Sequence, residues 1–357
     1  MAKPEQFAVI LAGGGGTRLW PASRRSRPKQ LLSLGASESL LAATFRRLSA
    51  LVGPERTLIV TAADQAQAIR EALPGLPADS LVVEPAPRNT APAVGLAAAH
   101  IARRAGQDAV MAVVPSDAFI RNEPQYAAVL RSALAQASQA IVTIGIKPTH
   151  PETGYGYLQT GAKVSGNADV CHVARFVEKP DLLTARAYLA SGDYLWNSGM
   201  FFFTAGRLFE EARTHMPDLA AILGEIRDSS NPAATAEARY PAAPKISIDY
   251  GIMEKASGIR VVPGNFGWND VGSWSALSDI RDKDKAGNVV SGDVVLSAVS
   301  GSVVVSEPGA PLVGVVGVDD LVVVATKDAV LVVRKDRAQE VRAVVDALAA
   351  SKRHDLL

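Results

Sequence analysis

Short apolar runs rich in β-branched residues alternate with amphipathic stretches through the first half of the chain. The apolar runs predict strands at residues 7–12, 57–62, 81–84, 109–114 and 140–146. The amphipathic stretches predict helices at residues 40–51, 64–73, 91–104 and 125–138. Such alternation is typical of a mostly parallel sheet that helices cover on both faces. The pattern therefore predicts an α/β domain.

The alternation becomes less regular after residue 150. Further strands are predicted at residues 174–178, 200–204 and 259–263. Residues 229–243 are rich in Pro, Ala, Asn and Ser, and we interpret them as an exposed connection between elements.

From Gly287 onward, short valine runs are separated by turn residues, which predicts a small β-helix-like unit, and residues 337–348 have a helical pattern. The chain is thus predicted to contain a Rossmann-like domain with a mixed, mostly parallel sheet at residues 1–284 and a small C-terminal β domain at residues 285–357. The valine-rich strands exceed what so small a unit can cover by itself. We therefore expect them to pack on the first domain or on a second copy of the chain, and we expect a homodimer.

Composition and net charge exclude several classes of protein. The 357 residues are 48% hydrophobic and carry a formal net charge of +1, so no global charge attracts nucleic acid or an anionic membrane. Cys171 is the only cysteine, which excludes an intrachain disulfide and favours a reducing compartment. The apolar run at residues 7–12 is too short for a secretory signal, and no run approaches the ~20 apolar residues of a membrane span. We expect a cytoplasmic protein that binds neither nucleic acid nor membranes.

A glycine cluster directly follows the first predicted strand and comprises Gly13, Gly14, Gly15, Gly16 and Thr17. Glycines let backbone N–H groups approach phosphates, at the strand end where α/β sheets bind ligands. The cations that follow are Arg18, Arg24, Arg25, Arg27 and Lys29. A flexible turn is the alternative interpretation, but the adjacent cations favour a triphosphate site. The loop lacks the Gly-Lys-Ser/Thr of a Walker A motif, and Arg18 replaces the third glycine of a dinucleotide fingerprint.

The segment LAGGGGTRLWPASRRSRPKQLL resembles the signature of the sugar-1-phosphate nucleotidyltransferases, and its Trp-Pro and Pro-Lys-Gln elements resemble the mannose-1-phosphate guanylyltransferases. The resemblance continues through EPAPRNTAPA, VVPSDAFI, FVEKPD, WNSGMFFF, SIDYGIMEK and GNFGWNDVGSW. It implies transfer of GMP from GTP to α-D-mannose 1-phosphate with Mg²⁺ as cofactor, giving GDP-mannose and pyrophosphate. The attacking sugar phosphate is already an anion, so the main obstacle is repulsion between anions, which Mg²⁺ and cationic side chains relieve.

Two aspartates are candidates for the metal. Asp117 follows a buried strand, and Asp270 lies in Trp-Asn-Asp-Val-Gly. The resemblance assigns Mg²⁺ to this pair, and it implies that Arg18 and Lys29 neutralise the triphosphate. Each aspartate alone is also compatible with a helix or turn cap. The family often has His after the first aspartate, whereas this chain has Ala118, so any contact of that imidazole is absent here.

The remaining candidates form two groups. The resemblance places Arg88, Asn89, Thr90 and Ser116 at the nucleotide, although Asn89 or Thr90 also suits a helix N-cap. It places Gly154, Tyr155, Gly156, Glu178, Lys179, Asn197 and Asp249 at the sugar phosphate. For Glu178 and Lys179 the alternative is an ordinary surface pair, and for Asp249 it is the start of a helix.

Other functions remain open at this point. The same chemistry on another sugar 1-phosphate or another NTP is the nearest alternative. A catalytically silent regulatory relative is a second, and retention of the reactive set argues against it. That set comprises Arg18, Lys29, Asp117, Lys179 and Asp270.

Overall fold

The structure, a computed structural model, describes residues 4–14 and 16–357, with only the backbone at Ala168. The strands before the C-terminal unit are β1 (Gln6–Ala12), β2 (Thr57–Ala62), β3 (Leu81–Glu84), β4 (Val110–Pro115), β5 (Phe119–Ile120), β6 (Val142–Ile146), β7 (Tyr157–Val164), β8 (Asn167–Val177), β9 (Tyr194–Thr204), β10 (Arg260–Gly264) and β11 (Trp268–Asn269). The helices of the same part are α1 (Leu40–Val52), α2 (Ala66–Ala72), α3 (Thr90–Ala105), α4 (Glu123–Gln136), α5 (Leu182–Ser191), α6 (Ala205–His215), α7 (Pro217–Asp228), α8 (Pro232–Arg239) and α9 (Leu277–Ile280).

The main sheet of the described residues has the strand order β3-β2-β1-β4-β9-β6-β10-β8-β7. Parallel pairs join β3, β2, β1 and β4, and a further parallel pair joins β6 to β10. The pairs of β9, and the pairs of β8 with β7 and β10, are antiparallel. The predicted mixed α/β sheet is confirmed, and its antiparallel strands come from the less regular sequence after residue 150.

Two hydrophobic clusters cover the two faces of this sheet. One contains Phe7 and Val9 of β1 with α3, α6 and α7, and the other contains Ala8 and Ile10 with α1 and α4. Alternate residues of β1 therefore enter different clusters, and both kinds are fully buried. This explains why the strand is a continuous apolar run rather than an alternating one.

Polar side chains determine where several helices begin. Ser39 accepts a hydrogen bond from the Ala42 amide at the start of α1, and Asn122 accepts one from Gln125 at α4. The Asn89 side chain accepts from the Thr90 amide at the start of α3, so the capping interpretation of Asn89 is confirmed.

A two-stranded ribbon outside the main sheet joins two distant segments. Strand β5 pairs antiparallel with β11, with Trp268 opposite Ile120 and Asn269 opposite Phe119. Asp117 lies two residues before β5, and Asp270 follows β11 directly. The ribbon thus brings the loops of the two aspartates together.

The C-terminal unit contains β12 (Val289–Ser291), β13 (Val294–Ser300), β14 (Val303–Ser306), β15 (Val313–Asp319), β16 (Leu321–Ala325), β17 (Val330–Arg334) and α10 (Val341–Ala350). Strands β12, β14 and β16 stack in parallel, as do β13 and β15, which is the arrangement of β-helix coils. The predicted β-helix-like unit is confirmed. Its terminal helix differs from the prediction, because a 3-10 segment at Lys335–Glu340 precedes α10.

The C-terminal unit packs against the first domain through one shared hydrophobic cluster. The cluster joins Leu19 and Trp20 of the glycine-loop segment, Val271 and Trp274 beyond Asp270, and valines of β12, β14 and β16. Several other valines of the unit stay exposed, with Val316 at 71%. Packing on the first domain is confirmed, and the homodimer stays a prediction.

The interpretation of residues 229–243 as an exposed connection is wrong in part: many of these residues are exposed, but the segment is not a loop. The segment contains α8, and Tyr240 directly after it is fully buried. Its alanines supply a short helix whose end seats the tyrosine against the core. None of the helices in the described part of the chain combines the length and apolarity required to cross a bilayer.

Candidate active site

A cavity of about 890 Å³ opens at the carboxyl ends of β1, β2, β3 and β4, where an open α/β sheet binds its ligands. Most of the predicted site residues line it. These are Gly13, Gly14, Lys29, Asn89, Thr90, Asp117, Gly154, Tyr155, Gly156, Glu178, Asn197, Asp249 and Asp270. The structure thus brings both metal candidates, both glycine segments and most of the predicted sugar ligands into one space.

The other predicted residues lie outside this lining. They are Gly16, Thr17, Arg18, Arg88, Ser116 and Lys179, while Gly15 lies outside the described residues. Ser116 is buried, and its amide donates to the Leu11 carbonyl. The guanidinium of Arg88 donates to the Pro241 carbonyl. The assignment of Arg88 and Ser116 to the nucleotide, and of Lys179 to the sugar phosphate, stays a prediction.

Lys29 connects the two aspartates. Its ammonium donates to Asp117 Oδ2 at 2.7 Å and to the backbone carbonyl of Asp270. The lysine is 9% exposed, so its charge is held inside the cavity wall. A cation therefore already lies between oxygen atoms of the two loops.

The Asp270 carboxylate has two further donors. The Tyr155 hydroxyl donates to Asp270 Oδ1 at 2.5 Å, and the Gly272 amide donates to the same atom at 3.2 Å. Burial, and then the negative charge of Asp270, raise the pKa of Tyr155 far above its ordinary value. The phenol therefore keeps its proton and fixes one oxygen of the carboxylate.

These oxygen atoms suit a divalent cation. Among the described residues, no three His, Cys, Asp or Glu side chains are grouped as a complete metal site. Mg²⁺ typically takes only one or two protein carboxylates, and phosphate oxygens and waters complete its shell. Asp117 and Asp270 fit that requirement because both face the cavity and an ammonium already lies between their loops.

Another part of the cavity lining consists of carboxylates and an amide. Asn197 donates through Nδ2 to Asp249 Oδ1 at 3.0 Å, and the Asn197 carbonyl oxygen accepts from Thr143 at 3.2 Å. Burial, followed by the charge of Glu178, raises the pKa of Asp249 to about 6. The Lys179 ammonium donates to Glu178 Oε1 at 2.7 Å. This end therefore offers hydrogen-bond acceptors in the cavity and one cation beside it.

The structure explains why residue 156 is a glycine. A methyl group on its α-carbon would collide with Glu178 Oε2 and would lie 3.2 Å from Asn197 Cβ. The sequence predicted that glycine lets the backbone approach a hexose. In the structure the close approach is to the side chains that line the cavity.

Sequence reasoning missed several lining residues, among them Asp64, Gln65, Glu84, Lys245 and Trp268. Glu84 is buried and accepts a hydrogen bond from the Tyr240 hydroxyl at 2.5 Å. Burial raises the pKa of Glu84 above its ordinary value. A buried acidic residue at the end of a strand was the available signal. The lining segment at residues 62–65 gave none.

The interpretation of the whole basic segment as a triphosphate site needs correction for two of its arginines. Arg24 pairs with Asp328 at 3.0 Å, and Arg27 pairs with Glu307 at 2.5 Å. Both acids belong to the C-terminal unit. These two cations therefore hold the two parts of the chain together, whereas Lys29 faces the cavity.

Comparison with known proteins agrees with this geometry. The nucleotidyl transferase family matches residues 7–287, and the MannoseP isomerase/GMP-like beta-helix domain matches residues 287–348. The xanthan biosynthesis protein XanB of Xanthomonas campestris pv. campestris (strain B100) is 44% identical over 360 residues, which are 97% of this chain and 74% of that protein. A mannose-1-phosphate guanylyltransferase of Escherichia coli (strain K12) is 41% identical over 365 residues, or 99% of this chain and 76% of that protein.

A solved structure extends the similarity to the fold. The crystal structure of a Thermus thermophilus protein, described as mannose-1-phosphate geranyltransferase, has a TM-score of 0.89 and 39% identity. The match covers 97% of this chain and 99% of that one. From its sequence, its fold and the arrangement of its cavity, the chain belongs to the nucleotidyl transferase family, among the mannose-1-phosphate guanylyltransferases.

Proposed function

We propose that this protein transfers GMP from GTP to α-D-mannose 1-phosphate, forming GDP-mannose and releasing pyrophosphate. The observation that carries the proposal is that one cavity is lined both by Lys29, Asp117 and Asp270 and by a group of hydroxyl acceptors. The first group suits the phosphates, and the second suits a hexose.

At the phosphate end of the cavity, cations would offset the negative charge of the phosphates. Asp117 and Asp270 would hold the Mg²⁺, which would supply positive charge where the α-phosphate and the leaving pyrophosphate gather negative charge. Lys29 contributes a second, fixed cation, already oriented by its two hydrogen bonds. Arg18 adds a third at the rim. Because the Lys29 charge is positioned before the substrates arrive, it costs little reorganisation during the reaction.

The sugar end orients the nucleophile. Glu178, Asn197 and Asp249 present oxygen atoms that accept hydrogen bonds from hexose hydroxyls. Lys179 lies at the edge, where its ammonium can exchange its partner Glu178 for the sugar phosphate. The sugar phosphate is an anion at neutral pH, so the protein needs to aim it rather than to remove a proton from it.

The decisive assay crosses the four NTPs with several hexose 1-phosphates and measures pyrophosphate release. GTP with mannose 1-phosphate is expected to give the highest kcat/KM. A higher value with another pair would keep the chemistry and change the substrate assignment. No release from any pair at saturating Mg²⁺ would favour the regulatory alternative.

Sugar binding is expected to depend on the ionisation of Asp249. The carboxylate accepts hydroxyl hydrogens better than the acid does, and its pKa is raised to about 6. The KM for mannose 1-phosphate should therefore rise as the pH falls through about 6, by roughly tenfold per pH unit below it. Steady-state kinetics from pH 5 to 8 provide the measurement.

Asp249→Asn is the matched control, because a phosphate monoester itself titrates near pH ~6. The variant should have a high KM at pH 8 and should retain only the ligand's own pH dependence. A raised carboxyl pKa also means that the ionised form disfavours the fold. Wild type should therefore lose stability relative to Asp249→Asn as the pH rises through about 6. Identical pH profiles of the two proteins would remove Asp249 from the sugar site.

A further inference from the structure

Three arginines of the segment after the glycine loop have partners of different charge on the C-terminal unit. Arg24 and Arg27 have acidic partners, Asp328 and Glu307. Arg18 instead donates through Nη1 to the side-chain amide oxygen of Gln339 at 2.9 Å. A neutral amide fixes the direction of a guanidinium without cancelling its charge. The C-terminal unit thus neutralises two arginines and leaves the charge of Arg18 free.

The uncancelled charge of Arg18 matters because of where this residue lies. A methyl group on Gly272 would stand 3.0 Å from Asp270 Oδ2 and 3.6 Å from Arg18 Nη1. The guanidinium therefore lies close to the carboxylate proposed to hold the metal. Arg18 lies at the rim of the cavity beside Asp270, although it does not line the floor.

Both ends of the Arg18–Gln339 hydrogen bond adjoin buried anchors. Leu19, next to Arg18, is 1% exposed, and so is Ala338, next to Gln339. Leu19 belongs to the hydrophobic cluster that the C-terminal unit shares with the first domain. The Trp20 indole also donates to the Leu356 carbonyl at 2.9 Å, close to the C-terminus. The backbone on each side is thus fixed, and the exposed side chains meet in a defined place.

We propose that Gln339 is a positioning residue for Arg18: it holds the guanidinium at the rim of the cavity, beside Asp270, with its charge available to the triphosphate. This inference rests on the proposed function, since it needs an NTP as the ligand. It assigns to the C-terminal unit a part in nucleotide binding, through an uncharged contact with a cation of the glycine-loop segment.

Two substitutions of Gln339 distinguish the position of the Arg18 guanidinium from its charge. Gln339→Ala removes the acceptor and leaves the charge of Arg18, whereas Gln339→Glu keeps an acceptor and pairs that charge. If Gln339 only supports the fold, the nearly isosteric Glu should be tolerated at this position. If Gln339 positions the uncancelled charge of Arg18, Gln339→Glu should not be tolerated. We expect Gln339→Ala to lower kcat/KM for GTP by roughly tenfold, the scale of a hydrogen bond to a charged group, and Gln339→Glu by at least as much.

The double-mutant cycle with Arg18→Gln tests whether the effect passes through Arg18. In that background, Gln339→Ala should change kcat/KM by no more than about twofold, because coupled residues are non-additive. Asp328→Asn is the matched control, since it removes the charge from another contact of the same interface. It should leave the kinetics unchanged. Additive effects of Arg18→Gln and Gln339→Ala would overturn the proposal, as would wild-type kinetics for Gln339→Glu.

Direct titration of GTP into the full-length chain, without sugar phosphate, distinguishes the two levels of inference. If the wild type does not bind GTP, the proposed function fails. If the wild type binds GTP and both Gln339 variants bind it equally well with unaltered kcat/KM, the positioning role fails and the proposed function stands. Weaker GTP binding by both variants, with normal binding by Asp328→Asn, is the expected result.

Discussion

Replacing Asp117 or Asp270 by asparagine is expected to lower turnover by about 10²–10³-fold, the scale seen when a preorganised electrostatic contact to the transition state is lost. The amide removes the negative charge that holds a divalent cation, yet it retains an oxygen of the same size. Lys29 can still donate to that oxygen at position 117, and its bond to the Asp270 backbone is untouched. Circular dichroism and melting temperature should therefore stay close to wild type.

The dependence of the rate on Mg²⁺ concentration identifies the cause. Both variants should need more Mg²⁺ for half-maximal activity. Tyr155→Phe is the matched control, because it removes the hydrogen bond to Asp270 Oδ1 and leaves the carboxylate charged. It should cost much less than Asp270→Asn. Either asparagine variant turning over at the normal rate under saturating Mg²⁺ would exclude that residue from the metal site.

Features encoded by local sequence were predictable. The strand of residues 7–12 is buried on both faces, so its apolar run is continuous and directly visible. The glycine loop that follows is fixed by backbone requirements: Gly14 and Gly16 have φ values of 102° and 56°, in the region that favours glycine. Asp117 and Asp270 each follow a strand, and that position, together with the family resemblance, indicated a ligand crevice.

Features that depend on distant pairs were not predictable from the residues alone. The sequence predicts Arg24 and Arg27 as triphosphate ligands, because both lie beside the glycine loop. Their actual partners, Asp328 and Glu307, are about three hundred residues away, in the C-terminal unit. No local pattern distinguishes an arginine that faces phosphate from one that faces a domain interface.

The same limit explains the error at residues 229–243. Pro, Ala, Asn and Ser suit a loop, but Asn231 and Pro232 also suit the start of a helix, and Asn231 caps α8. Whether Tyr240 is exposed or buried depends on its partner, and that partner is Glu84, 156 residues away. Tertiary contacts therefore decided between two local interpretations that were equally permitted.

Trp274→Ala is expected to destabilise the whole protein, because this side chain links the active-site loop to the C-terminal unit. Trp274 is fully buried, and its indole donates to the Trp20 carbonyl at 2.9 Å. Truncation of a large buried side chain costs ~3–5 kcal/mol, and here it also removes a buried hydrogen bond. Chemical denaturation followed by circular dichroism measures the loss, which should appear as a lower midpoint.

Val316→Ala is the comparison within the C-terminal unit, since its side chain is 71% exposed and lies outside the shared cluster. It should change stability by no more than about 0.5 kcal/mol. The cluster also contains Val271, the neighbour of Asp270, and Leu19, the neighbour of Arg18. A cavity at Trp274 should therefore loosen both loops, so the folded fraction of Trp274→Ala should show a lower kcat well below its melting temperature. Unchanged kcat in a destabilised variant would mean that the cluster holds the two units together without ordering the active site.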